Sequence, residues 1–283
     1  MGKQKMPEAT HREFFAACSG KRDEIDSKSW AYSFMALFTL FMLSLLLINA
    51  QGYVKGYSGV SGTMLNLVLY LLPLMTLMLG SFSLTSEKEE GNWELLSTYP
   101  LGTGAFLTGK YIGLAVVLLA IVALGFGVSG TAGWLLGEGF EFLTYIRLLI
   151  FSVCLSLLFL GIAMLVGTAA RNRWQALTMA VSLWFFAIIA WPPILIATLG
   201  MLPYGWIKPA VTALTFLNPA ELTRLFTVVK LGGGSTLGPE YYDWIIWIRG
   251  PWGTPVFLAI ALVWVGIALA IAYLMWERGR GRD

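Results

Sequence analysis

Residues 104–110 have the types and spacing of a site that could bind a nucleotide phosphate. Gly104, Gly109 and Lys110 match the G-x-x-x-x-G-K pattern of a phosphate-binding loop. The match ends at the next residue, because Tyr111 stands where a Ser or Thr would hold magnesium. No strand pattern precedes the stretch, and a long apolar run follows it. We therefore interpret it as a chance match and predict that the chain has no nucleotide site of its own.

Metal-binding and nucleophilic residues are also sparse. His11 is the only histidine, and it lies in the polar N-terminal segment, so the apolar runs contain no histidine-based metal site. Without a second histidine, no Ser-His or Cys-His pair is available there for hydrolysis. Methionines on several runs could form a soft copper(I) path, but methionine more often fills packing gaps: Met42, Met64, Met75, Met78 and Met164. We predict no catalytic residue, no resident metal and no cofactor on this chain.

The composition is that of a membrane protein. Hydrophobic residues make up 57% of the 283 residues and charged residues 12%, against about 25% charged residues in a soluble domain. Six apolar runs reach the length of about 20 residues that spanning requires: 30–50, 62–85, 111–136, 146–170, 174–199 and 254–276. The sequence predicts an all-α membrane protein with a six-helix transmembrane domain over residues 30–283.

The interiors of these six runs contain no ionisable residue apart from Arg147 at the edge of one. Proton-coupled transporters and pumps use ionisable relays within the membrane. The chain therefore lacks the usual means of driving transport by itself. We expect energy to arrive through its cytoplasmic face.

The distribution of lysine and arginine predicts the orientation. Six spans place both termini on one side, and the short connections on that side contain Lys88, Lys110, Arg171 and Arg173. Short cytoplasmic loops are rich in these residues. We therefore expect both termini to be cytoplasmic. The net charge of +3 gives no indication of nucleic-acid binding.

Residues 1–29 predict a cytoplasmic amphipathic helix. Thr10 and Glu13 have the spacing of a capping box, and Phe14, Phe15 and Cys18 then share one face. Such a helix could lie among lipid headgroups. A tail without function is the alternative.

Residues 86–110 predict a cytoplasmic loop that docks against a soluble protein. Lipid does not accept so dense a charge cluster, and a short apolar knob follows the acidic residues. We predict six residues as the docking contacts: Glu87, Glu90, Trp93, Glu94, Leu95 and Pro100.

Residues 200–253 form a long external connection with a helix before the last span. Asn218 is a helix N-cap, Pro219 fits the first helical position and Glu221 the third. Apolar residues recur at helical spacing as far as residue 231, before three glycines. We expect this helix to lie against the membrane or an outer partner, with contacts at Asn218, Pro219, Glu221 and Arg224. Trp244, Trp247 and Trp252 fit either an interfacial belt or a docking surface.

Small residues also recur every four positions at Gly125, Ser129, Gly133 and Gly137, and again at Ala163 and Gly167. This spacing favours close helix packing. The contacts could lie within one subunit or between two.

The sequence resembles the permeases of type-2 ABC exporters. The resemblance is carried by E-K-E-E-G at 87–91, E-L-L-S at 94–97, Pro100, and Gly109 with Lys110. Trp93 departs from the smaller aliphatic residue common in that family. Within the family, T-Y-P-L-G at 98–102 and L-N-P at 217–219, followed by Leu222 and Arg224, resemble the permease branch of nitrous oxide reductase maturation.

The resemblance implies a half-transporter in a bacterial or archaeal cytoplasmic membrane. Two copies would pair, and separate ATPase subunits carrying ATP and magnesium would dock on the 86–110 loop. In the nitrous oxide branch, an extracytoplasmic β-helical protein would sit outside and the activity would support copper-sulfur site assembly. The alternatives are a generic drug, lipid or peptide exporter, a self-sufficient channel or scaffold, and an intramembrane enzyme, which the scarcity of catalytic residues disfavours.

Overall fold

A computed structural model describes residues 32–44, 60–89, 102–135 and 142–280. All regular secondary structure in these ranges is helical, which confirms the predicted all-α class. We label the α-helices α1 to α10 in chain order. They are α1 (Tyr32–Ser44), α2 (Val60–Glu89), α3 (Thr103–Leu135), α4 (Phe142–Ala169), α5 (Arg173–Trp184), α6 (Trp191–Met201), α7 (Tyr204–Leu217), α8 (Pro219–Lys230), α9 (Tyr242–Arg249) and α10 (Gly253–Arg280).

Within the described ranges, five segments are long and apolar enough to cross a membrane, and each overlaps a predicted span. They are Gly62–Glu89, Thr103–Leu135, Phe142–Ala169, Arg173–Met201 and Gly253–Arg278. The predicted first span, 30–50, is described only as the shorter apolar helix α1. The predicted amphipathic helix at 1–29 lies outside the described residues.

Helix α4 is the centre of the bundle, and small residues bring α2 close to it. A Cβ added to Gly80 would lie 2.6 Å from the Ala163 Cβ, and one added to Gly167 would lie 2.9 Å from the Leu84 Cβ. Ala163 and Gly167 of the predicted small-residue pattern thus serve a contact within the subunit. The backbones of α2 and α4 can approach closely only because these positions lack bulk.

The small-residue pattern on α3 also serves contacts within the subunit. Gly125 receives the ring of Phe38 from α1, because an added Cβ would lie 2.4 Å from its Cδ1. The Ser129 hydroxyl lies 2.6 Å from the Tyr145 hydroxyl of α4. Gly137 lies outside the described residues. The structure therefore favours the intrasubunit interpretation at Gly125 and Ser129.

The span Arg173–Met201 is not a uniform helix. A π-helical segment, Phe185–Ala190, separates α5 from α6. Pro192 and Pro193 open α6 and cannot donate backbone hydrogen bonds to the preceding turn. Proline and a π-type segment are recognised causes of such an irregularity. As a result, a backbone carbonyl of the π-helical segment can accept a hydrogen bond from a side chain of another segment.

The connection at residues 200–253, which was predicted to be external, contains more structure than the sequence indicates. The helix expected at 218–231 is present as α8, but α7 precedes it, and two 3₁₀ turns and α9 follow. Helices α7 and α8 form a hairpin whose turn is Asn218. Trp244, expected either in an interfacial belt or on a docking surface, is 7% exposed and packs against Phe216 and Trp247, whereas Trp252 is 73% exposed. Neither interpretation therefore fits Trp244, because α9 packs against α7 and α8.

Candidate functional site

One end of the bundle gathers charged residues from the ends of three helices, α2, α3 and α5, and we call this set the charged cluster: Glu87, Lys88, Glu89, Lys110 and Arg173. Lys110 of α3 donates a hydrogen bond to Glu87 of α2. Glu89 Oε2 lies 2.9 Å from Arg173 Nε, and Glu89 Oε1 accepts a 2.8 Å hydrogen bond from the Arg173 backbone N–H. The second contact satisfies a free backbone donor at the start of α5.

Lys88 makes the most extensive contacts in the charged cluster. Its Nζ donates to the backbone carbonyls of Gly167, Thr168 and Ala170, at 3.1 Å for the first and last. It also lies 5.0 Å from the centre of the Trp276 ring on α10. The last carbonyls of a helix have no partner within it, and a cation is favoured at that end of the helix dipole. Lys88 therefore caps α4 and connects α2 to both α4 and α10.

The charged cluster borders the predicted docking loop, which proves shorter than expected. Helix α2 continues to Glu89 and α3 begins at Thr103, so the connection comprises residues 90–102 rather than 86–110. Of the predicted docking residues, Glu87 lies on the last turn of α2. The other five lie outside the described residues: Glu90, Trp93, Glu94, Leu95 and Pro100. The role of Lys88 was not predicted, because it depends on where α4 ends in space.

The phosphate-loop pattern has no matching structure. Gly104 and Lys110 belong to the first turns of α3, where the backbone is continuous helix. A phosphate-binding loop needs a turn whose free N–H groups face the ligand. The described residues also contain no group of three or more His, Cys, Asp or Glu side chains that could hold a metal ion.

The turn of the hairpin lies deep in the bundle. The Asn218 Oδ1 accepts the Ala220 N–H at 2.9 Å and caps α8, as the sequence predicted. Its Nδ2 donates a 2.6 Å hydrogen bond to the Ala187 carbonyl in the π-helical segment. Ala187 is the central residue of the 29-residue span Arg173–Met201. The hairpin therefore inserts from one end of the bundle to about half the length of that span.

One turn beyond Asn218, Glu221 and Arg224 form a two-pronged ion pair. Arg224 Nε lies 3.0 Å from Glu221 Oε2, and Arg224 Nη2 lies 2.6 Å from Glu221 Oε1. The side chain of Glu221 is 7% accessible and that of Arg224 32%. Burial opposes the charged form of Arg224, but the Glu221 carboxylate outweighs it and the pKa of Arg224 is raised. The guanidinium is therefore charged throughout the physiological pH range.

The four residues predicted to contact an outer partner are thus placed differently from what the sequence indicated. Asn218, Pro219 and Glu221 are buried within the subunit, and Arg224 is half-buried. The six predicted runs lack internal charge, as expected, but the hairpin brings an ion pair into the bundle between them. Sequence inspection missed this because hydropathy along a segment does not report how deeply it inserts.

A family model described as "ABC-2 family transporter protein" matches residues 5–279 of the chain. The chain belongs to the ABC-2 family. This membership confirms the resemblance to ABC-2 permeases on which the sequence analysis relied. It agrees with the membrane-length apolar helices among the described residues, and the protein is accordingly a multi-pass membrane permease of an ABC transporter.

Two relatives of this permease have the name "Probable ABC transporter permease protein NosY". The relative from Stutzerimonas stutzeri is 29% identical over 261 residues, and the relative from Pseudomonas aeruginosa is 30% identical over 260 residues. Each alignment covers 88% of this chain and 92% of the relative. The permease is therefore similar to the NosY permeases over nearly its whole length.

Proposed function

We propose that this permease is the transmembrane subunit of an ABC exporter, works as a pair of identical copies and is driven by a separate ATPase subunit. The observation that carries the proposal is the charged cluster. Both ends of the connection at 90–102 lead into it, and it fastens α2 to α3, α4, α5 and α10. A displacement of that connection would move all five helices together, which fits a rigid-body switching mechanism.

The cytoplasmic side would be the end that holds the charged cluster. Lys88, Lys110 and Arg173 meet there, and Arg278 follows two residues after Trp276. Positive residues near the ends of spans favour the cytoplasmic side. In this arrangement ATP and magnesium bind to the ATPase, and this chain takes no part in the chemistry of hydrolysis.

The similarity to NosY permeases supports a role in nitrous oxide reductase maturation. The exported or mechanically released species would then serve copper-sulfur site assembly, together with an extracytoplasmic β-helical protein on the outer face. Among the four residues proposed for that contact, Arg224 is the one whose side chain is accessible in this conformation. A generic drug, lipid or peptide exporter is the second candidate, supported by family membership alone.

Docking on the 90–102 connection can be tested by co-purification of the permease with its partner ABC ATPase. We expect Glu90→Arg combined with Trp93→Ala to abolish recovery of the ATPase, because the pair reverses a charge and removes the apolar knob. Lys208→Ala is the control. Lys208 pairs with Asp243 at the end of the bundle opposite the charged cluster, and both side chains are exposed. An intact complex with the double variant would show that the docking assignment is wrong.

The transmission role of the charged cluster needs a separate measurement. We expect Lys88→Met to leave the complex assembled but to reduce ATP-dependent transport in liposomes relative to ATP hydrolysis. Lys88 contacts the end of α4 and Trp276 of α10, so its loss should weaken the connection between these helices. An unchanged ratio of transport to hydrolysis would exclude this role. Flux through liposomes that contain the permease alone would instead support a self-sufficient channel.

A further inference from the structure

The Arg173–Met201 span has a firmly packed half and a loosely packed half. Helix α5 packs along α2 and also contacts α4, and its last residue, Trp184, donates a 2.8 Å hydrogen bond from Nε1 to the Tyr70 carbonyl. Helix α6 packs mainly against the π-helical segment and α7, which are its neighbours in the chain. A segment with few buried contacts moves more easily than one inside the core. Within the subunit, the second half of the span is therefore the more easily displaced.

The two halves meet at a break in the helical hydrogen bonds. In a π-type helix, each carbonyl accepts from the N–H five residues later, and Pro192 stands five residues after Ala187. Pro192 has no N–H to donate, and neither has Pro193. The Nδ2 of Asn218 supplies a donor instead, at 2.6 Å from the Ala187 carbonyl oxygen. The angle between α5 and α6 therefore depends on a side chain from another segment.

A second break follows in α7. Pro209 lies inside this helix and removes one backbone hydrogen bond from its first turns. The structure describes every residue between the two breaks, and Leu195 is the only buried one from 192 to 208. We call residues 192–208 the flap. The chain on either side is better held, since Trp191 and Val211 are buried.

The far end of the flap is fastened by an exposed ion pair. Lys208 Nζ lies 3.0 Å from Asp243 Oδ2 on α9, and the two side chains are 64% and 66% accessible. Water screens such a pair, so it contributes little to stability. Beyond Pro209 the contact is firmer, because Phe216 packs on Trp244 with ring centroids 5.1 Å apart. The flap can therefore separate from α9 while the second half of α7 stays in place.

The surroundings of the two breaks allow rearrangement. A cavity of about 230 Å³ borders both Ala187 and Asn218, so side chains there can move without compressing their neighbours. Two buried polar atoms nearby, Trp191 Nε1 and Thr215 Oγ1, have no hydrogen-bond partner among the residues that the structure describes. Unpaired buried donors raise the free energy of the conformation that contains them. An arrangement that pairs either atom therefore gains that difference in free energy.

We propose that the flap is a hinged element that swings between a closed position against α9, seen in this structure, and an open position. Its main joint lies at Ala187 and its second joint at Pro209. Separation of Lys208 from Asp243 releases it, and the hydrogen bond from Asn218 to Ala187 limits how far it bends. The flap lies at the end of the bundle opposite the charged cluster, so the permease can open there while the contacts among α2, α4 and α5 persist. The movement depends on neither ATPase docking nor the identity of the exported species.

Distances between spin labels on the full-length permease in phospholipid nanodiscs test the proposal. The two native cysteines are replaced, and labels are placed at Ile196 of the flap and Leu262 of α10, which are 71% and 72% exposed. Dilution with unlabelled permease confines the measurement to one copy. Ile196 lies about 13 Å from Ala187 along the helix, so a bend of about 20° moves it by about 5 Å. We expect two distance populations for this pair, and a single population for labels at Val181 of α5 and Leu262.

Two variants should shift these populations in opposite directions. Asn218→Ser keeps a capping hydroxyl for α8 but is too short to reach Ala187, and we expect it to raise the ratio of open to closed flap about fivefold. Pro192→Ala combined with Pro193→Ala returns two N–H donors to the backbone, and we expect it to lower that ratio about fivefold. Thermal unfolding shows which variants fold, and the proline variant tests the joint if Asn218→Ser does not fold.

The controls make the same kinds of replacement where no joint depends on them. Asn172→Ser changes the exposed cap of α5, and Pro255→Ala lies in the first turn of α10, where an N–H has no partner within the helix. Both should leave the two distance populations unchanged.

Three results would overturn the proposal. A single narrow population for labels at residues 196 and 262, in the wild type and in Asn218→Ser, would show that the span is rigid. Equal broadening for labels at residues 181 and 262 would show a general loosening of the bundle and not a hinge. A shift in the same direction by the two variants would show that these hydrogen bonds do not control the joint.

Discussion

The charged cluster and the hairpin turn both fasten helix ends through polar side chains, but in different surroundings. In the charged cluster, the side chains of Arg173 and Glu89 are 43% and 33% accessible, so water screens their attraction. At the hairpin turn, Asn218 and Glu221 are 3% and 6% exposed. A hydrogen bond or ion pair there is stronger, and losing one partner leaves the other without water. The exposed Arg173–Glu89 pair can therefore separate at modest cost, whereas the hairpin turn is a fixed point.

The largest expected difference concerns the buried ion pair. Arg224→Met leaves the Glu221 carboxylate buried without its partner, and we expect a loss of about 3–5 kcal/mol in the free energy of unfolding in mixed micelles. Glu221→Gln combined with Arg224→Met should recover most of it, because neither remaining group is charged. If Arg224→Met alone were as stable as the wild type, the hairpin turn would not differ from the charged cluster in this respect.

The next effect concerns the cap of α8. Asn218→Ala removes a cap worth about 1 kcal/mol and leaves the Ala187 carbonyl without this donor, at about 1–3 kcal/mol. Asn172→Ala is the matched control, since Asn172 caps α5 in exposed surroundings through a 2.7 Å bond to the Gln175 N–H. It should cost only about 1 kcal/mol. Equal losses of unfolding free energy would show that the contact with Ala187 adds nothing.

The contact between α2 and α4 near the charged cluster should show a smaller effect. Gly167→Ala places a Cβ 2.9 Å from the Ser81 carbonyl and the Leu84 Cβ, and overpacking of this kind costs about 1–3 kcal/mol. Gly113→Ala in α3 is the control, because a Cβ there meets nothing within 4 Å. Thermal unfolding of the two variants side by side measures the difference. A tolerated Gly167→Ala would mean that the helices separate easily.

The smallest effect is expected within the charged cluster itself. Arg173→Met removes the exposed partner of Glu89, and such pairs contribute about 0–1 kcal/mol. The remaining contact from the Arg173 backbone N–H to Glu89 does not depend on the side chain. The free energy of unfolding of Arg173→Met is measured in mixed micelles beside that of Arg224→Met, which compares the two regions directly. A loss as large as that of Arg224→Met would show that the cluster is shielded from water.

Much of the fold follows from short-range patterns. The five described spans coincide with apolar runs because lipid requires about 20 consecutive apolar residues, whatever they pack against. Helix α8 was predicted from Asn218, Pro219 and Glu221, which act within one turn. The family resemblance at the 86–110 stretch likewise needed only neighbouring residues, although all six of its proposed contacts remain predictions.

The sequence by itself determined the class of protein, the positions of the described spans and the cap of α8, because each depends on residues close together in the chain. Only the tertiary structure decided that Lys88 caps α4, through a carbonyl 82 residues away, and that Asn218 satisfies Ala187, 31 residues away. The tertiary structure likewise decided how deeply the hairpin inserts, and that Trp191 Nε1 has no hydrogen-bond partner among the described residues. A hydrogen bond between distant segments depends on where their backbones lie, and no local pattern of residues records that position.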